Sequence, residues 1–112
     1  MSRDWRFYLD DMLACCRRVQ LFSDGLCKTD FLENRMAYDA TVRNLELIGE
    51  AARNIPAEVR GNMPDVPWRE MVAFRNLLIH GYFGINDDIL WDVIKNEIPA
   101  LSQRLQAYGK TL

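Results

Sequence analysis

Arg75 and His80 bracket the hydrophobic turn of RNLLIHGY (75–82), and His80 is the only histidine in the chain. A guanidinium is a permanent cation whose planar fork can hold a phosphoryl group while charge grows on its oxygens. An imidazole titrates near neutrality and can take or give a proton at a reacting oxygen. The set suits cleavage of an RNA phosphodiester by its own 2′-hydroxyl. One imidazole takes the 2′-OH proton, and a second imidazole, or water, protonates the leaving 5′-oxygen. Arginine steadies the phosphoryl charge, and no metal is required.

A single helix does not bring the pair together. Five helical residues rotate by about 140° and rise about 7.5 Å, so Arg75 and His80 of one chain point apart. Asn76 and His80, four residues apart, share a face. Asn76 can hold one imidazole nitrogen and so fix the tautomer that the other presents. Two copies related by a two-fold axis resolve the geometry, because an isologous contact sets residues of each chain against the other. Two arginines and two histidines then line one cleft. The plainer alternative is a histidine that serves only as a favourable partner for a helix C-terminus.

The elements that must position these residues read as helices. Trp5, Leu9, Met12, Cys16 and Val19 form one stripe, with Tyr8 beside it. SDGLCKTD breaks the pattern, and Asp30 with Glu33 three residues later suggests a capped start for a second helix. That helix runs to about Asn54, where Ile55-Pro56 ends it. Ala37, Thr41, Leu45, Ile48, Ala52 and Ile55 share its apolar side, and Arg43, Glu46, Glu50 and Arg53 the other. Gly49, amid small residues, implies close approach of another helix. PAEVR makes a short turn, and Pro67 suits the first position of the helix WREMVAFRNLLIH. Gly81 is the expected residue past its end, at positive φ, with Tyr82 on the loop beyond. Leu90, Ile94, Ile98, Leu101, Leu105 and Tyr108 mark a last helix that Pro99 should kink or split. The expected fold is all-α, an antiparallel up-and-down bundle of four main helices with a short extra one.

Bulk properties narrow the classes. The 112 residues suffice for one domain, 1–112, and not two. With 49% hydrophobic and 27% charged residues the chain suits a folded protein rather than a disordered one. No apolar run is long enough to span a membrane, and the N-terminus lacks the core of a secretory signal, so a cytoplasmic protein is expected. Cys15, Cys16 and Cys27 with one histidine form no zinc pattern. They read as reduced thiols, and neither metal nor cofactor is expected. The net charge of −2 means that RNA must be held by a local cluster of cations.

The ordered set Arg75, His80 and Tyr82, an Rx4HxY pattern, is similar to the signature of HepT-like toxins in the HEPN superfamily. LELIGEA (45–51) resembles that family's second helix. PWREMVAFRNLLIHGYFGIN and ILWDVIKNEIPAL resemble its third and fourth. The resemblance implies a HEPN-like bundle, a homodimer and a metal-independent endoribonuclease whose catalytic pair is Arg75 and His80, supported by Asn76. It further implies a partner, a minimal nucleotidyltransferase antitoxin of the MntA type, that attaches AMP to Tyr82. AMP there adds bulk and negative charge that would keep RNA out. A non-catalytic nucleotide-binding or scaffold module partnering such a nucleotidyltransferase is the alternative.

Other residues carry weaker signals. Glu50 sits in the small-residue turn GEAA and can orient a catalytic group; the plainer and favoured account is a solvated, salt-bridged helix face or part of a subunit contact. Arg69 and Arg60 flank the entry to the motif helix and are the candidates for phosphate contacts. Trp5, Trp68 and Trp91 fit core or interface packing better than base stacking.

Overall fold

The computed structural model describes residues 4–81 and 84–112. Among them every regular element is helical: α1 (Trp5–Ser23), α2 (Lys28–Glu33), α3 (Arg35–Ala52), α4 (Ala57–Gly61), α5 (Trp68–His80), α6 (Asp87–Asp92), a π-helical turn (Val93–Glu97) and α7 (Ile98–Gly109). The four long segments of the all-α bundle are α1, the broken α2–α3, α5, and the continuous run from α6 to α7. α1 packs on α3 and α7, and α5 packs chiefly on α3.

The apolar stripes become the core. Leu9, Met12, Cys16 and Val19 of α1 meet Thr41, Leu45, Ile48 and Ala52 of α3, and Leu90, Ile94, Ile98, Leu101 and Leu105 complete it; all are buried. Trp68 is buried and its indole N–H donates to the Met63 carbonyl at 3.1 Å. Trp91 packs its ring 5.5 Å from that of Phe31. Both tryptophans serve packing.

Two local expectations are corrected and a third is made specific. The second helix is broken rather than capped at Asp30. The Asp30 N–H donates to Cys27 Sγ at the start of α2, and Asn34 Oδ1 accepts from the Ala37 N–H at 3.1 Å to start α3 anew. Asp30 lies inside the turn that Cys27 caps, and Asn34 supplies a cap of equal quality to aspartate at the start of α3. Pro67 is the cap of α5 and not its first residue, a shift of one position. The interruption expected at Pro99 takes the form of a π turn just before it, which divides α6 from α7 and in which the Ile98 N–H reaches back to the Val93 carbonyl. The wider turn accommodates the donor that proline lacks and the carbonyl that its ring would strike.

The thiols divide by burial. Cys15 and Cys16 are buried and Cys27 is exposed; all three are free. Burial, and then the neighbouring Cys15, pushes the Cys16 thiol up from 9.0 to about 12. Because the folded value lies above the unfolded one, its contribution to stability is complete below pH 9 and is lost as the pH rises toward 12. Chemical denaturation across that window should show stability falling for wild type and a flatter decline for Cys16→Ala. Identical slopes would contradict the burial. Thiol labelling of the native protein should titrate one fast group, Cys27.

Candidate functional site

The site is built where α3 and α5 touch. Gly49 of α3 lies directly against Arg75 of α5: a Cβ on Gly49 would stand 2.3 Å from Arg75 Cβ and 3.1 Å from the Met71 carbonyl oxygen. Only a residue without a side chain allows this approach. The sequence reading of Gly49 as a contact point holds, and its partner is the helix that carries Arg75.

The close approach drops the Arg75 side chain beside Glu50, leaving it only 18% exposed. Its Nη2 donates to Glu50 Oε1 at 3.5 Å and its Nη1 to Asn76 Oδ1 at 2.9 Å. Its Nε is buried with no partner among the described residues. Glu50 also lies 3.9 Å from Arg43, whose closer partner is Glu46 at 3.1 Å. The guanidinium is thus braced by a carboxylate on one side and an amide on the other. Arg43 was not singled out as a site residue from the sequence, although its spacing to Glu46 and Glu50 put all three on one helix face.

Asn76 differs from its expected use. Its carbonyl oxygen is taken by Arg75 and not by the imidazole. A nearly buried guanidinium with one unpartnered nitrogen has the stronger demand for an acceptor. Through that bond the Arg75 head meets Asn76, which shares its helix face with His80. His80 is exposed in the last turn of α5.

The helix closes tightly behind it. The Gly81 N–H donates to the Leu77 carbonyl at 2.8 Å, with φ −87° rather than the positive value expected. Glycine is required for a different reason: a Cβ would stand 2.5 Å from the Leu77 oxygen. Tyr82 lies outside the described residues.

The two arginines assigned to phosphate contact take different places. Arg69 is exposed in the first turn of α5. Arg60 is turned back on the protein, donating through Nε to the Ile55 carbonyl at 2.9 Å and through Nη2 to those of Ala52 and Arg53 at 3.2 Å. It holds the open end of α3. Both line a cleft with Arg53, Trp68 and Val72.

On the other flank of α5, a groove of about 430 Å³ runs between α3, α5 and α7, walled by Leu45, Met71, Phe74 and Leu101. Its rim carries Asp65, Glu70 and Glu97 against Arg104. Arg104 is bound to Asp65 at 2.8 Å, and these hydrogen bonds hold that carboxyl below the usual range. The rim is therefore a poor place for a polyanion. No helix among the described residues is long and apolar enough to cross a membrane.

Comparison with known proteins agrees along nearly the whole chain. A family model described as ribonuclease HepT-like matches residues 12–108. A Thermococcus cleftensis protein named "Probable ribonuclease HepT" is 37% identical over 98% of this chain and 100% of its own length. "Putative RNase MJ1380" of Methanocaldococcus jannaschii is 39% identical over 94% of this chain and 96% of its own. "Putative RNase TTE0752" of Caldanaerobacter subterraneus is 40% identical over 90% of each. No solved structure gives a significant match.

Proposed function

The chain belongs to the ribonuclease HepT-like family, a family of RNA-cleaving enzymes, and from that premise we propose that it is the toxin of a toxin–antitoxin pair, cutting RNA at a cleft shared by two subunits. The observation that carries the reading is the bracing of Arg75 between Glu50 and Asn76, beside an exposed His80 on the same helix. The chemistry is a transesterification. The RNA 2′-oxygen attacks phosphorus and its proton passes to an imidazole. The bond from phosphorus to the 5′-oxygen breaks, and that oxygen is protonated by the second imidazole or by water. The products are a 2′,3′-cyclic phosphate and a free 5′-hydroxyl. Arg75 stabilises the equatorial oxygens as charge develops, and Glu50 and Asn76 position it.

Pairing of two subunits would bring together Arg75, which is paired with Glu50 of α3, and the exposed His80. The outer side of α5 supports such pairing. Leu77 is 55% exposed there, one turn from His80, and among the described residues α5 has only α3 as a substantial neighbour. In the same reading Tyr82 is the residue that a nucleotidyltransferase antitoxin blocks. Its phenol oxygen attacks the α-phosphorus of ATP, pyrophosphate leaves, and the attached AMP repels RNA.

Purified protein incubated with RNA in EDTA should leave cyclic phosphate ends. Treatment with ATP, magnesium and the partner should add AMP masses to wild type, abolish cleavage, and leave Tyr82→Phe unmodified. Linear 3′-phosphates as the first product, or AMP on another residue, would contradict the respective part.

A further inference from the structure

The geometry points to a second, non-catalytic phosphate site on this molecule: the cleft formed by Arg53, Arg60 and Arg69, which holds an RNA strand upstream or downstream of the bond being cut. The inference rests on the ribonuclease reading and names how that site gathers its substrate.

The cleft has a volume of about 490 Å³ and is lined by Arg53, Arg60, Trp68, Arg69 and Val72, with no carboxylate among them. In a chain of net charge −2 this is a local excess of cations. Six of the other ten described cations are paired with carboxylates: Arg6 with Asp4, Lys28 with Asp88, Arg35 with Asp39, Arg43 with Glu46, Arg75 with Glu50 and Arg104 with Asp65. Arg53 and Arg69 form no ion pair among the described residues, and Arg60 is satisfied by main-chain carbonyls that leave its charge uncancelled. Unpaired guanidinium groups around a concave surface are the arrangement that binds a phosphodiester.

Its place relative to His80 follows from helix geometry. Arg69, Ala73, Asn76 and His80 are separated by four, three and four residues, so they line one stripe of α5. All four are exposed. From Arg69 to His80 the helix rises about 16 Å, with the small side chain of Ala73 between them. That distance is roughly two to three nucleotides of extended single strand. Glu70, adjacent to Arg69, lies on the other flank with Asp65 and Glu97, so α5 separates an anionic groove from a cationic cleft. A strand with its scissile phosphate at His80 therefore runs along α5 and sets a neighbouring phosphate into the arginine cleft. Trp68, 8% exposed, is its floor rather than a stacking platform.

The test uses Arg53→Gln and Arg69→Gln, whose side chains hold nothing else in place; Arg60 is left alone because it secures α3. On an eight-nucleotide RNA the double variant should raise KM about tenfold with kcat within twofold, and on a dinucleotide spanning the same bond it should match wild type. The slope of log affinity against log salt should fall by roughly one per arginine, and Lys at both positions should restore it. Binding of uncleaved RNA to His80→Ala protein, with and without the two substitutions, gives an answer independent of catalysis. Equal RNA affinity in that pair, or equal loss of activity on dinucleotide and octanucleotide, would overturn the cleft. Absence of cleavage by wild type, with the affinity difference intact, would count against the ribonuclease reading and leave the cleft standing.

Discussion

His80→Ala is expected to lower RNA cleavage by about 10²–10⁴-fold, the range that a positioned acid or base contributes. The side chain is exposed at the end of α5, so folding stability should stay within about 0.5 kcal/mol of wild type. The separation of the two readouts is what makes the result informative. A histidine that only complemented the helix terminus would give the opposite pattern, a modest loss of stability with cleavage intact. Rate loss should appear in kcat, because the imidazole moves protons and the phosphate is held by arginines. Cleavage kinetics beside thermal denaturation of the same preparations decide between them.

Gly49→Ala should damage both stability and catalysis. The added methyl would stand 2.3 Å from Arg75 Cβ and 2.9 Å from its Cγ, and 3.1 Å from a main-chain oxygen on Met71. Side-chain rotation cannot relieve a clash with Cβ, so α5 must move away from α3. Overpacking of this kind costs about 1–3 kcal/mol. The displacement also carries Arg75 out of its brace between Glu50 and Asn76, and misplacement by about 1 Å can cost about 10²-fold in rate. Gly61→Ala is the control, since a Cβ there meets nothing within 4 Å. It should leave activity unchanged and stability equal or slightly higher. Wild-type melting and cleavage in Gly49→Ala would mean that the two helices do not meet as described.

Much of this arrangement is legible in the residues, for reasons that differ by element. α1, α3 and α7 each bury one narrow stripe, so a 3.6-residue period finds their core sides directly. α5 is harder, because Met71, Val72, Phe74, Leu77, Leu78 and Ile79 wrap around it. Periodicity does not say which side meets α3; the contact with Gly49 does. The break at Asn34 is masked by a rival capping signal, Asp30 with Glu33, because asparagine and aspartate cap about equally well and residue type does not choose between them. Gly81 was legible as a necessary glycine but not for its reason, since closeness to the Leu77 oxygen is invisible without the fold. Arg75 and His80 stand out by type and spacing. The brace from Glu50 depends on the register of α3 against α5, and the cleft of Arg53, Arg60 and Arg69 depends on how the chain turns after α3.

In the proposed ribonuclease two polypeptides complete one site. Arg75→Ala and His80→Ala chains carrying different affinity tags can be co-expressed and the heterodimer purified through both tags. The shared cleft then retains one arginine from one chain and one histidine from the other. Such a heterodimer should cleave RNA well above the level of either parent homodimer, with water taking the place of the missing imidazole. A heterodimer as inactive as its parents would show that guanidinium and imidazole act from the same chain, and would contradict the shared cleft.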